Sequence, residues 1–420
     1  MAKFIVEQSG PLQGDVAVSG SKNAVLPILA ATLMTEGKSE INDVPYLRDV
    51  DVMCRILRSM GASVTEDWKT HTITVDMDRV KAEEVPYELV KRMRASIFVM
   101  GPLLAKTGKA RIALPGGCSI GDRPIDLHNK GMRSLGARID TELGVVEATA
   151  SQLKGALIYL DFPSVGATEN IMMAATLAKG LTVIENAAEE PEIVDLANFL
   201  NKMGARIKGA GTDTIRIEGV EKLHGAKHTV IPDRIETGTF MVAAAITRGD
   251  ILIRNCVPDH VKPVIAKLME CGATVNDEVE GLRVRGDIKQ LIATDIKTMP
   301  YPGFPTDMQA LFMALLSTVD GASAVIETVF ENRFMHAAEL SRMGANIKVD
   351  GRTAVVPGKN PLIGAQVIST DLRAGAALVL AGLVAKGKTE ISEIYHIERG
   401  YDSFMEKLVS LGAKITREED

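Results

Sequence analysis

Apolar and polar positions along this chain repeat with a period of about seventy residues. A hydrophobic–Gly–Ala–x–Ile/Val signature occurs six times, at Gly61, Gly136, Gly204, Gly272, Gly344 and Gly412, with spacings of 75, 68, 68, 72 and 68 residues. A second glycine stands 23 to 28 residues before each of them: Gly37, Gly108, Gly180, Gly249, Gly321 and Gly387. Within each period an Ala-, Leu- and Met-rich segment predicts a helix ending at the first glycine, as at 24–35, 97–107, 171–179 and 308–319. Glycine just past a helix supplies the left-handed residue that stops it. A short β-branched strand follows, as at 181–184, 251–253 and 324–326. A second, amphipathic helix comes next (194–203, 261–270), closed by Gly–Ala, and a pair of strands completes the unit (205–208, 214–218).

The unit is therefore βαβαββ, six times over. A period of about seventy residues is too long for a thin solenoid, and six is twice three. The expectation is an α/β (α+β) chain of two domains with three βαβαββ units each, helices packed inside sheets. The domain spans expected are 22–231 for the first and 1–21 plus 232–420 for the second. The opening strand is expected to pair back into the C-terminal half, and the hinge to lie near 229–233. Two crossings of the chain then place a ligand cleft between the halves.

Composition narrows the function. The chain has 420 residues, 46% hydrophobic and 24% charged, which is ordinary for a globular protein. Aromatics make up 4%, with one Trp, which argues against base-stacking platforms. A net charge of −6 argues against a nucleic-acid or membrane footprint, so an anionic substrate would need local cations. Apolar runs reach about a dozen residues, too short to span a bilayer. The start has no signal-peptide core, and Cys54, Cys118, Cys256 and Cys271 form no CxxC pair, so the expected compartment is the cytoplasm.

Two features carry candidate chemistry. Residues 114–124 hold three glycines, two prolines, Cys118 and Arg123. That composition makes a loop, and a thiol beside glycines and a guanidinium can be reactive over an anion. The alternative is a surface turn with an incidental cysteine. The second feature is the polar set opening each unit's first helix: Ser21–Lys22–Asn23, Arg94, Ser164–Val165–Gly166, Asp233–Arg234, Thr306–Asp307 and Asp371–Leu372–Arg373. Helix N-termini carry free N–H groups and positive potential, so several of them converging build an anion site, to which Lys22, Arg94 and Arg373 add full charge. For any one residue alone, capping or a solvated face is the simpler role. The segments 327–336 and 395–401 also break the rhythm with charge and aromatics.

Other patterns lead nowhere. Residues 382–389 match G-x-x-x-x-G-K-[ST], but here the run ends a helix and opens a strand, the reverse of a phosphate loop. No His-Glu-x-x-His motif is present.

The segments Ser21–Lys22–Asn23, 115–118 (Pro-Gly-Gly-Cys), Arg123–Pro124, 231–238 (IPDRIETG), 304–309 (FPTDMQ), 331–334 (ENRF) and 396–401 (HIERGY) together resemble the UDP-N-acetylglucosamine enolpyruvyl transferases. These belong to the EPSP synthase, or enolpyruvyl transferase, family. The resemblance covers essentially the whole chain, in order. It implies two inverse α/β barrels of three βαβαββ units each. It also implies transfer of enolpyruvate from phosphoenolpyruvate to the 3′-hydroxyl of UDP-N-acetylglucosamine with release of phosphate, the first committed step of peptidoglycan synthesis. By resemblance, Cys118 is the acid and adduct-forming thiol and the target of fosfomycin, and Asp307 takes the hydroxyl proton. Lys22, Arg123 and Arg399 hold the phosphate. Phosphoenolpyruvate binding falls to Lys22, Asn23, Cys118, Arg123, Arg373 and Arg399. The UDP sugar falls to Asn23, Arg94, Arg123, Pro124, Ile125, Asp126, Leu127, Ser164, Val165, Gly166, Asp307, Val329 and Arg333. Neither metal nor cofactor is implied. Phe162–Pro163 stands where some relatives carry a diphosphate-touching Lys, which puts that contact in question. The rival readings are a shikimate-type enolpyruvyl transferase, whose members lack the Pro-Gly-Gly-Cys loop, and a non-catalytic UDP-sugar-binding paralogue, which would need neither acid nor base.

Overall fold

The computed structural model describes residues 2–91, 93–114, 125–286, 288, 290–359 and 361–419. Among them the strands form six separate sheets, one per repeat. The third repeat illustrates the plan: strand Leu157–Tyr159, helix Val165–Ala175, strand Leu181–Glu185, helix Pro191–Lys202, then the hairpin Arg206–Lys208 and Thr214–Glu218. Leu181–Glu185 lies at the middle of its sheet, parallel to Leu157–Tyr159 and antiparallel to Thr214–Glu218. Parallel strands need a crossover element, which the first helix supplies in the third, fifth and sixth repeats.

The two helix types differ in how they are buried. Val165–Ala175 is buried continuously from Ala167 to its end, and Arg234–Ile246 from Ile235 to its end. From Ile171 to its end the first of these is apolar on every side, and such a stretch has to sit in a core. The second helices, such as Arg48–Ser59, bury one face and turn Arg55 and Arg58 outward.

All six second helices end the same way. Past Arg48–Ser59, the Gly61 N–H donates to the Arg58 carbonyl and the Ala62 N–H to the Leu57 carbonyl, both at 3.0 Å. This crossed pair is a Schellman cap and requires a left-handed residue, here Gly61 at φ 102. The corresponding bonds recur at Gly136–Ala137, Gly204–Ala205, Gly272–Ala273, Gly344–Ala345 and Gly412–Ala413. Each of these alanines is buried, which explains why a small apolar residue follows every glycine.

The other glycine series behaves differently from expectation. Only Gly108 caps its helix, Met100–Thr107, at φ 76. Elsewhere the helix stops earlier: Val165–Ala175 ends at Thr176, whose hydroxyl donates to the Met173 carbonyl at 2.7 Å. Gly37, Gly180, Gly321 and Gly387 then take positive φ in the turn or strand beyond. In the fourth repeat Arg248 holds the left-handed angle instead, at φ 59. Two inner helices also open with a 3₁₀ turn, Arg94–Val99 and Thr306–Met308. In the phosphate-loop look-alike, Gly382 lies inside helix Leu372–Val384 and Lys388 starts strand Lys388–Ser392.

The described residues divide into two compact units, 20–114 with 125–231, and 2–19 with 232–419. Each has its own hydrophobic core. The sixth repeat has a single strand, Lys414–Glu418, after its last helix, and Lys3–Glu7 supplies the missing partner by pairing antiparallel with Lys414–Glu418 and Lys388–Ser392. Gln13–Ala17 runs parallel to Asp250–Arg254, while Lys227–Thr229 runs parallel to Thr35–Asn42. No helix among the described residues is long and apolar enough to cross a membrane.

Candidate active site

Asp307 sits in the 3₁₀ turn Thr306–Met308 that opens the buried helix Gln309–Leu316. Two guanidiniums hold its carboxylate. Arg333 Nη2 donates to Oδ1 at 2.7 Å, and Arg373 Nε donates to Oδ2 at 3.1 Å. Both arginine side chains are buried, 6% and 2% exposed, while Asp307 stays 26% exposed. Burial alone pushes the Asp307 carboxyl upward, but Arg333, Arg373 and then Arg234 outweigh it and hold it well below the usual carboxylate range.

Arg373 is placed by its own helix cap. Asp371 accepts from the backbone N–H groups of Arg373 and Ala374 at 2.9 and 3.0 Å, fixing the start of Leu372–Val384. The guanidinium lies 5.0 Å from the centroid of the Tyr401 ring, whose hydroxyl is 2.9 Å from Thr239 Oγ1. Arg373 Nη1 is buried and has no hydrogen-bond partner among the described residues. Gly400 lets the chain carrying Arg399 pack onto this helix start, because a Cβ there would stand 2.3 Å from Leu372 Cδ1. Arg399 itself is half-buried at the end of the short helix Tyr395–Glu398.

Arg333 is held from the other side as well. Its Nη1 donates to Thr306 Oγ1 at 2.8 Å, and the Thr306 hydroxyl donates to Glu327 Oε2 at 2.8 Å. Val329, a predicted sugar contact, is half-buried and its N–H donates to Glu327 Oε1 at 2.8 Å.

In the other unit, Ser21 caps helix Lys22–Ala31, and Lys22 Nζ lies 3.1 Å from Asp49 Oδ2. Both side chains are nearly buried, at 11% and 4% exposure. Asn23 follows, half-buried. Ser164 caps the helix that Val165 and Gly166 open, accepting from the Ala167 N–H at 3.4 Å. A Cβ on Gly166 would come within 3.3 Å of the His128 ring, a tight contact to which the ring would have to yield by a few tenths of an ångström. His128 is buried against Asn170, whose Nδ2 is 3.1 Å from its Nδ1. Burial, reinforced by Arg94, lowers the His128 pKa to about 4, so the ring is neutral at pH 7. Ile125 is buried, and Asp126 and Leu127 begin helix Asp126–Ser134. Phe162 is 42% exposed.

Cys118, Arg123 and Pro124 lie outside the described residues. Of the other cysteines, Cys54 and Cys271 are buried thiols pushed up to about 12, and burial also raises Cys256. None of these three is set up as a thiolate.

The sequence reading thus named Asp307, Arg333 and Arg373 singly, and the fold brings them together. It missed Thr306, Glu327 and Tyr401 as their partners, and Asp49 as the partner of Lys22. Glu327 left one trace: inward-facing Ser323 and Val325 alternate along strand Ala322–Ile326, so 327 continues a buried register with a carboxylate.

Comparisons with known proteins identify the family. A family profile described as EPSP synthase (3-phosphoshikimate 1-carboxyvinyltransferase) matches residues 6–408. The chain is 64% identical over 415 residues to UDP-N-acetylglucosamine 1-carboxyvinyltransferase 1 of Caldanaerobacter subterraneus subsp. tengcongensis, covering 99% of each. It is 59% identical to UDP-N-acetylglucosamine 1-carboxyvinyltransferase 2 of Carboxydothermus hydrogenoformans, covering 100% of each. Among solved structures, the enolpyruvyl transferase NikO from Streptomyces tendae aligns with TM-score 0.90 at 27% identity, over 99% of this chain and 98% of that one. EPSP synthase from Acinetobacter baumannii aligns with TM-score 0.78 at 20% identity over 100% of both, a likeness of fold. The chain belongs to the EPSP synthase family of carboxyvinyltransferases, and within it groups with the UDP-N-acetylglucosamine 1-carboxyvinyltransferases.

Proposed function

We propose that this protein transfers the enolpyruvyl group of phosphoenolpyruvate to the 3′-hydroxyl of UDP-N-acetylglucosamine, releasing phosphate. The observation that carries the reading is the Asp307–Arg333–Arg373 cluster at the starts of two buried helices, in a chain collinear with carboxyvinyltransferases. A carboxylate that can take a proton, beside a buried guanidinium with a spare donor, suits a neutral hydroxyl acceptor and an anionic donor.

The reaction begins with protonation of the phosphoenolpyruvate methylene, which leaves cationic character at C2. The sugar hydroxyl adds there and loses its proton, giving a tetrahedral ketal. Phosphate then leaves and the methyl group formed by the first protonation gives up a proton, restoring the vinyl ether. Cys118 is the proposed acid and the residue that forms an adduct with phosphoenolpyruvate. Lys22, Arg123 and Arg399 hold the phosphate, with Asn23 and Arg373 completing that site. The UDP sugar lies on Asn23, Arg94, residues 123–127, Ser164–Gly166, Asp307, Val329 and Arg333.

Asp307 is the proposed proton acceptor, and its two guanidiniums make it a weak base at rest. An anion arriving at Arg373 competes for that charge and frees basicity when the donor is bound. The product would enter peptidoglycan synthesis, and the work would be done in the cytoplasm.

The test is phosphate release from phosphoenolpyruvate with UDP-N-acetylglucosamine or shikimate 3-phosphate as acceptor, before and after fosfomycin. Release with the UDP sugar alone, abolished by the epoxide with a mass adduct on Cys118, is expected. Release with the shikimate acceptor would transfer the chain to the other branch of the family. No release with either would reduce it to a binding protein.

A further inference from the structure

The geometry points to Glu327 as a positioning residue for this reaction, acting on Asp307 through Thr306 and Arg333. This rests on the proposed role of Asp307. Glu327 is fully buried directly after strand Ala322–Ile326, and four donors converge on its two oxygens. Oε1 accepts from the Thr298 hydroxyl at 2.9 Å, from the Val329 N–H at 2.8 Å and from the Phe330 N–H at 3.1 Å. Oε2 accepts from the Thr306 hydroxyl at 2.8 Å.

This arrangement sets a direction. A carboxylate can only accept, so the single Thr306 proton is committed to Glu327. The Thr306 oxygen is left with lone pairs only, and it turns them to Arg333 Nη1 at 2.8 Å. Arg333, pinned there, presents Nη2 to Asp307 at 2.7 Å. The chain Glu327–Thr306–Arg333–Asp307 therefore has one possible sense from end to end. The Glu327 carboxylate also fixes the Val329 turn, so one buried group orients both the proton acceptor and a proposed sugar contact.

Glu327→Gln tests this because it keeps the shape and reverses the logic. An amide has to set its NH₂ either against Thr306, whose proton then has no acceptor, or against two backbone N–H groups. The first choice turns the Thr306 hydroxyl off its set direction and loosens Arg333, and the second unseats the Val329 turn instead. The expected result is a kcat about tenfold or more lower, with KM for phosphoenolpyruvate changed by less than about threefold, since an isosteric interior change leaves the phosphate ligands in place. Thr306→Ser keeps the hydroxyl and is expected within about twofold of the parent, whereas Thr306→Val matches Glu327→Gln. The double variant Glu327→Gln/Thr306→Val is expected to be no worse than the poorer single one, because both cut the same chain.

A purely structural role would lower the urea midpoint and leave kcat per folded enzyme intact. That outcome overturns the proposal, as do equal losses in Thr306→Ser and Thr306→Val, or additive losses in the double variant. If the parent enzyme itself transfers no enolpyruvyl group, the reaction assignment fails separately. The crystal structure of Glu327→Gln then decides the positioning claim: Arg333 parted from Thr306 supports it, and Arg333 unmoved overturns it.

Discussion

Arg373 Nε and Asp307 Oδ2 meet at 3.1 Å although 66 residues of chain separate them. Each stands in the first turn of a different buried helix, so the pairing is set by how the second unit packs its helices. Arg373 spends one donor on Asp307, and its buried Nη1 has no hydrogen-bond partner among the described residues. A buried guanidinium nitrogen without a partner is costly, and an anionic substrate group would relieve it.

Asp307→Asn removes the charge that two buried guanidiniums share. We expect loss of enolpyruvyl transfer by about a hundredfold or more, in the range for removing a general base. Stability is expected to fall by about 1–3 kcal/mol, read as a lower urea midpoint at unchanged slope. Wild-type kcat in Asp307→Asn would remove Asp307 from the chemistry.

Asp49→Asn leaves Lys22 without the carboxylate 3.1 Å away in a nearly dry position. We expect a cost of about 1–3 kcal/mol in stability. The KM for phosphoenolpyruvate is expected to rise, because Lys22 loses the group that aims it. An unchanged KM in a folded variant would mean that Lys22 is oriented by something else.

Two buried groups give opposite pH signatures. His128, held at about 4 in the folded chain, stays neutral while the unfolded chain protonates below its usual 6.5. Its contribution is therefore lost as pH falls from about 6.5 to about 4, by up to about 3 kcal/mol relative to a His128→Gln variant. Glu236 is raised to about 7 by burial, against the pull of Lys407. The native state then takes up a proton between about 7 and 4.5 that the unfolded state does not, so wild type gains on Glu236→Gln as pH falls through that window. Denaturant titrations of the three proteins from pH 4 to pH 8 give both slopes, and slopes of equal sign would contradict the reading.

Alkylation with iodoacetamide at pH 7.5 is expected to modify Cys118 well before Cys54 or Cys271, whose buried thiols sit at about 12. Peptide mass mapping over time reads the order directly. Early labelling of Cys54 or Cys271 would mean that their surroundings open in solution.

Gly412→Ala isolates the recurring helix end. Its φ is 101, and an added Cβ meets nothing within 4 Å, so backbone strain is the only cost. We expect a loss of about 1 kcal/mol, seen as a lower urea midpoint. No loss would mean that this helix end relaxes out of its cap.

The architecture was legible because its determinants are local. A Schellman cap closes within six residues, so each Gly–Ala pair announces its helix end without reference to the rest of the chain. The same reasoning misjudged the other glycines, since threonine hydroxyls such as that of Thr176 stop the inner helices first and leave the glycine for the following turn. Candidate residues at helix starts were legible for a related reason: repeat phase puts Lys22, Ser164, Asp307 and Arg373 at equivalent positions.

Partners were not legible. Asp49 reads as an ordinary first-turn acid of an amphipathic helix, and only packing shows it against Lys22. Glu327 sits in a charged segment that looks solvent-facing, yet strand register carries it inside. The sequence by itself determined the repeat, the helix ends and the residue types available at each helix start, because those depend on hydrophobic period and on hydrogen bonds spanning a few residues. Tertiary structure alone decided which charges face each other and which lose their water. Coulombic coupling and desolvation depend on distance and burial, and those are set only when separate helices close on one core.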